Sequence, residues 1–176
     1  MTQTMAQPGA VAQFPEVGRW CVTAMPRGWL YVADFGIRQM TMDARTMGAS
    51  VGVGQDSLNS ESGLAEYIQK QKKLIGSYLK EAKFAGPQAT AFTGADEALL
   101  LFVRHNAPSV GSILHAQTYA RLGHWLGIVT LTALEAKLQT VRPDYEAFMK
   151  GLRISPARAS EPAGVVSKLE SNRERV

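Results

Sequence analysis

An α+β fold, a twisted antiparallel sheet with a long central helix and a C-terminal helix, is what three observations in this 176-residue chain predict. Strand-like apolar runs follow one another directly: "EALLLFVRH" at 97–105, "SILHAQTYARL" at 112–122 and "HWLGIVTL" at 124–131. The joints between them, "NAPSVG" and "GH", have the length and residue types of hairpin turns, which makes the pairing antiparallel. The three-to-four-residue period of an amphipathic helix shows only near 62–83 and again toward 143–153, so helices do not alternate regularly with strands as they would in a parallel sheet.

Taken in order, residues 1–17 carry Gln, Ala and Pro without a sustained period and are expected to form a flexible N-terminal arm. In "GRWCVTAMPRGW", Trp20, Val22 and Ala24 alternate with Cys21, Thr23 and Met25, the period of a strand, and Pro26 and Gly28 break it. "WLYVADFGI" and "RQMTMDART" supply further strand material, and "ASVGVGQD" places Val51 and Val53 on one face. Leu64, Tyr67, Ile68, Ile75, Tyr78 and Leu79 then form a helical stripe opposite Glu66, Lys70, Lys73, Ser77 and Lys80. Glu66 and Lys70 are spaced as an i,i+4 pair, Ser60 or Ser62 can cap the start, and "AGP" at 85–87 is the expected stop.

After the weak strand "QATAFT" and the three strong ones, a second helical region is expected near Leu131. Pro143 stands as a first helical residue before a stripe of Tyr145, Phe148, Met149 and Leu152. Residues 18–154 thus read as a single domain, and the Pro-, Ser- and charge-rich 155–176 as a flexible C-terminal tail. Runs such as 98–103 are apolar on both faces, so they belong to central strands. We expect both helices on one face of the sheet and something else on the other.

Composition excludes several classes. Hydrophobic residues at 45% and charged residues at 19% are globular values, and no apolar stretch reaches the roughly 18 residues of a membrane-spanning helix. The N-terminus lacks the basic and apolar regions of a signal peptide, from which a cytoplasmic location is expected. The net charge of +4 is spread along the chain, unlike the basic stripe of a nucleic-acid binder; the lysine cluster at 70–83 reads as a solvated helix face. Cys21 is the single cysteine, so an internal disulfide is impossible; a buried strand thiol and a reactive nucleophile are its two readings.

Catalytic patterns are missing. His105, His115 and His124 stand at no metal-ligand spacing with one another or with Cys, Asp or Glu. "GASVGVG" lacks the helix-opening Lys-Ser/Thr of a phosphate loop, and no nucleophile elbow occurs. The expectation is a protein that is not an enzyme, with no catalytic residue, no metal and no cofactor. An enzyme would require the three histidines to converge on one pocket. Methionines at 25, 40, 42 and 47 precede Ala49, Val51 and Val53, and two readings are open: gap-filling core, or an apolar groove able to accept varied partners.

"GRWCVTAMPRGW", "SGLAEYIQKQKKLIGSYLKEAKFAGPQATAFTGADEALLLFVRH" and "HAQTYARLGHWLGIVTLTALEAKLQTVRPDYEAFMKGLRI" together resemble the DcrB-like (Mog1/PsbP-like) proteins. The resemblance is carried by Pro26 to Trp29, Leu64 to Tyr67, Gly94 to Leu100 and Phe148 to Ile154, and covers about residues 18–154. Within that superfamily the chain is most similar to the Eag chaperones of type VI secretion. That likeness implies a homodimeric chaperone or adaptor that shields the apolar N-terminal transmembrane segments of a secreted effector before export. Its partners would be that region of the effector and a second copy, with no nucleic acid and no direct membrane insertion. Met40, Met42, Val51 and Val53, with Gln117 and Tyr119 as polar members, are the candidate groove residues. The alternative is an accessory structural subunit of a larger bacterial complex, PsbP-like, membrane-associated or photosynthetic.

Overall fold

The structure, a computed structural model, describes residues 19–23, 26–27, 29–32, 36–39, 48–58 and 62–155. Nine strands and two helices appear among them: β1 (Trp20–Val22), β2 (Trp29–Val32), β3 (Gly36–Gln39), β4 (Ser50–Ser57), α1 (Leu64–Tyr78), β5 (Lys83–Ala89), β6 (Glu97–Ala107), β7 (Gly111–Leu122), β8 (Trp125–Leu134), α2 (Leu138–Gly151) and β9 (Leu152–Ile154). Seven strands form one antiparallel sheet in the order β2-β3-β4-β8-β7-β6-β5, and β1 pairs with β9 in a separate two-stranded ribbon. The α+β class and the hairpin succession β6–β7–β8 are as the sequence predicts. The expected arm at 1–17 and nearly all of the tail at 155–176 lie outside the described residues.

The long strands are held by their register. Leu101 faces Gln117 and Gln117 faces Thr130; Leu99 faces Tyr119 and Tyr119 faces Ile128. Because side chains alternate at every step, each strand presents one set to each face. One set (Val51, Val53, Ala98, Ala116, Ala120, Val129, Leu131 and Ala133) packs with Trp20, Val141, Phe148, Leu152 and Ile154. The other (Leu101, Val103, Tyr119 and Leu126) packs with Leu58, Leu64 and Ile68. So α2 and the β1–β9 ribbon cover one face, and α1 covers the other. This corrects the expectation that both helices share a face and leave the opposite one to a partner: the chain supplies a helix to each side.

Three boundaries also move. Helix α1 ends at Tyr78, before the predicted stop at 85–87. Lys83–Ala89 instead forms edge strand β5 against β6, because pairing and the burial of Phe84 under α1 outweigh the local turn signal. Strand β8 continues to Leu134, past the expected helix onset at Leu131. Helix α2 starts at Leu138, with Pro143 inside it. That proline removes one backbone hydrogen bond, but Val141, 1% exposed, and Leu138 lie on the core side of the added turn, and their burial offsets the loss.

Candidate functional site

An open cleft of about 550 Å³ lies between α2 and the sheet. Its floor is Leu100 and Phe102 of β6, Leu114, Ala116 and Thr118 of β7, and Leu131 of β8; Leu138, Tyr145 and Met149 of α2 form the roof. The cleft exists because α2 packs directly on β8 and β9, while small side chains at Ala116 and Thr118 leave the floor low under the helix's other flank. Its volume falls within the roughly 300–1,000 Å³ range of ligand sites, and its lining is apolar with polar groups at the mouth.

Those mouth groups are on α2. Arg142 Nε donates to Glu146 Oε1 at 2.7 Å across one helical turn. The hydrogen bond with Arg142 holds the Glu146 carboxyl below the usual carboxylate range, and the charge of Lys150 adds to the effect. Tyr145 is partly buried, and the desolvation raises its pKa; its hydroxyl lies beside Thr118 without a hydrogen bond of good geometry. The cleft can therefore bury apolar groups and offers cations at its edge, but no nucleophile paired with a base lines it.

The candidate residues from the sequence are dispersed. Val51 and Val53 are core residues on the α2 side, 1% and 9% exposed, packed in the same cluster as Trp20 and Phe148. Gln117 and Tyr119 lie on the opposite face, where the Tyr119 hydroxyl donates to Gln117 Oε1 at 2.8 Å and the ring meets Tyr67 edge-on. Burial pushes the Tyr119 phenol up to about 12. Tyr67 in turn donates to Asp56 Oδ2 at 2.6 Å, pinning α1 to β4. A single groove lined by both valines and both polar residues is therefore corrected by strand parity, since the sheet separates the two pairs. Met40 and Met42 lie outside the described residues, as do Met25 and Met47.

Two of the three histidines meet. His105 and His115 stack with their Nε2 atoms 3.1 Å apart, and His115 Nδ1 lies 3.0 Å from Thr132 Oγ1. Burial, then the neighbouring His105, lowers the His115 pKa. His124 sits in the β7–β8 turn, where its carbonyl accepts from Leu58 N–H, so the three do not converge. Among the described residues no group of three potential ligands surrounds the pair.

The cleft residues of β6, β7 and α2 were missed as a site because they read simply as central strand and core-helix positions. The available signal was the run at 98–103, apolar on both faces, which includes Leu100 and Phe102.

No family model matches the chain, and no curated protein matches it either. Solved structures do. LpqN, involved in cell envelope biogenesis of Mycobacterium tuberculosis, is similar with a TM-score of 0.62 and 15% identity, over 80% of this chain and 87% of that one. PA94 from Pseudomonas aeruginosa, described as a putative regulator, gives 0.57 and 18% identity, over 76% and 90%. Cyanobacterial PsbP from Synechocystis gives 0.51 and 10% identity, over 86% and 98%. These likenesses show the fold alone: the chain has the α+β fold that these Mog1/PsbP-like structures share. No helix among the described residues is long and apolar enough to cross a membrane.

Proposed function

We propose that this is a non-enzymatic binding protein that holds an apolar segment of a client protein, with the cleft under α2 as the contact site. The observation that carries this reading is the open apolar cleft of about 550 Å³ on a face the chain's own helix covers only in part. A helix is too large to enter it. It can lie along the mouth and insert apolar side chains from one face, the helix-in-groove mode. Each leucine-sized anchor fully buried there contributes about 1.5–3 kcal/mol.

In its finer form the proposal follows the resemblance to Eag chaperones: the client is the apolar N-terminal region of a type VI effector, held in the cytoplasm by a homodimer before export. A pull-down of such a region with the parent protein and with Met149→Glu tests it. Met149 borders the cleft and is only partly buried, so the substitution should leave the circular dichroism spectrum unchanged and abolish capture. Undiminished capture by a folded Met149→Glu protein would remove the cleft from the function. Failure of the parent to capture any apolar segment would remove the chaperone reading.

A further inference from the structure

Beside the cleft under α2 lies a second, smaller space, a hollow of about 120 Å³ lined by Lys83, Phe84, Ala85, Phe102, Arg104 and Leu114. Phe102 and Leu114 line both spaces, so a small basic pocket lies directly beside the apolar cleft. Edge strand β5 brings Lys83 there, and its register partner on β6 is Arg104, which sets the two cations side by side. Arg104 Nη2 is held by Glu135 Oε1 at 2.6 Å, while Glu135 Oε2 accepts from the Ser112 hydroxyl at 2.7 Å. The guanidinium is thereby fixed at the hollow. Lys83 has no carboxylate partner among the described residues, so the pair keeps a net positive charge after Glu135 is counted.

We propose that the cleft and hollow together bind a single-chain amphiphile with an anionic headgroup, a long-chain carboxylate. The chain lies on Phe102, Leu114 and Leu131 under α2, and the carboxylate sits between Lys83 and Arg104. The combined space is of ligand-site size, apolar along most of its length and cationic at one end, and that sequence of chemistries matches an apolar tail ending in one small anion. Two neighbouring cations compensate the desolvation of a carboxylate better than one, and charge-assisted hydrogen bonds are the stronger kind. This goes beyond the client-helix reading and does not depend on it.

The test is isothermal titration of the full chain with dodecanoate and with dodecanol, a chain of the same length without the charge. Dodecanoate should bind at one per chain and more tightly than dodecanol. Lys83→Glu should weaken dodecanoate about tenfold or more and leave dodecanol unchanged. Lys73→Gln, exposed on α1 at the opposite face of the sheet, should leave both within about twofold. Lys83 is exposed on an edge strand, so its replacement should not disturb folding, which circular dichroism checks. Absence of dodecanoate binding overturns the proposal. So does equal affinity for the two ligands, or dodecanoate binding that ignores Lys83→Glu. In those last two cases the cleft remains a general apolar site and the client-helix reading stands.

Discussion

Gly127 has no room for a side chain. A Cβ there would lie 2.6 Å from Trp20 Cη2 and 2.7 Å from Trp125 Cη2, and the two indoles are themselves packed edge-on at 5.3 Å between centroids. Trp20 is 2% exposed and its Nε1 donates to the Gly54 carbonyl, so it cannot swing away cheaply. Gly127→Ala should destabilise the protein by about 1–3 kcal/mol in urea unfolding, the usual cost of overpacking. Gly94 is constrained more severely. Its φ is +88°, and an added Cβ would collide with the Ile154 carbonyl, where β9 returns beside the β5–β6 connection. Gly94→Ala should cost more than Gly127→Ala, because neither backbone can yield.

The histidine pair gives a pH dependence at the same scale. The folded pKa of His115 lies below its ordinary value of 6.5, through burial first and the charge of His105 second. The unfolded chain therefore takes up more protons there than the folded one as the pH falls below about 6.5. Stability from this group is complete above that pH and is lost as pH drops toward the depressed folded value. His115→Gln, which can still bond Thr132, should flatten that part of the profile of unfolding free energy between pH 7 and 5. An unchanged profile would mean that other groups carry the acid sensitivity.

At the level of elements, strand character and hairpin pairing were readable because the determining interactions are local in sequence. The turn joining β7 to β8 occupies two residues, and Leu122 faces Trp125 directly across it. What could not be read is where the chain goes after a local signal ends. The glycine and proline at 86 and 87 announce a break, and only the pairing of Lys83–Ala89 with β6 shows that the segment is a strand. Similarly, Pro143 marks a helix start by local rules, whereas the burial of Val141 draws the start back to Leu138. Face assignment was the largest loss. Gln117 and Val51 each sit on a strand with clear alternation, yet nothing local says which parity faces α1, and one step of register exchanges the faces. Long-range ties decide it. Trp29 Nε1 donates to Asp144 Oδ2 at 2.9 Å, joining β2 to α2 across 115 positions. Asp144→Ala should cost about 1–3 kcal/mol, since it strands a part-buried donor, with Asp144→Asn recovering most of it.

Across the whole molecule, the seven-stranded sheet acts as a wall between two half-cores, one under α1 and one under α2. The strands β6, β7 and β8 contribute to both, so unfolding either side exposes the shared sheet. The molecule should therefore unfold in one transition although its apolar clusters are separate. Energetic independence is a different matter from cooperativity. Ile68 of α1 and Val141 of α2 are 0% and 1% exposed and belong to different clusters on opposite sides of the wall. Ile68→Val should cost about 1 kcal/mol and Val141→Ala about 2 kcal/mol, from lost methyl groups and the small cavities left behind. Because the two sites share no packing partner, their costs should add within about 0.5 kcal/mol in the double variant. A larger coupling would mean that the sheet transmits strain from one face to the other, and an occupant of the α2 cleft would then be felt at α1. Strict additivity would confine the effect of any bound ligand to its own side. Urea titrations of the two single variants and the double variant, read by tryptophan fluorescence and by circular dichroism, decide between these, with coincident transitions required for the comparison to hold.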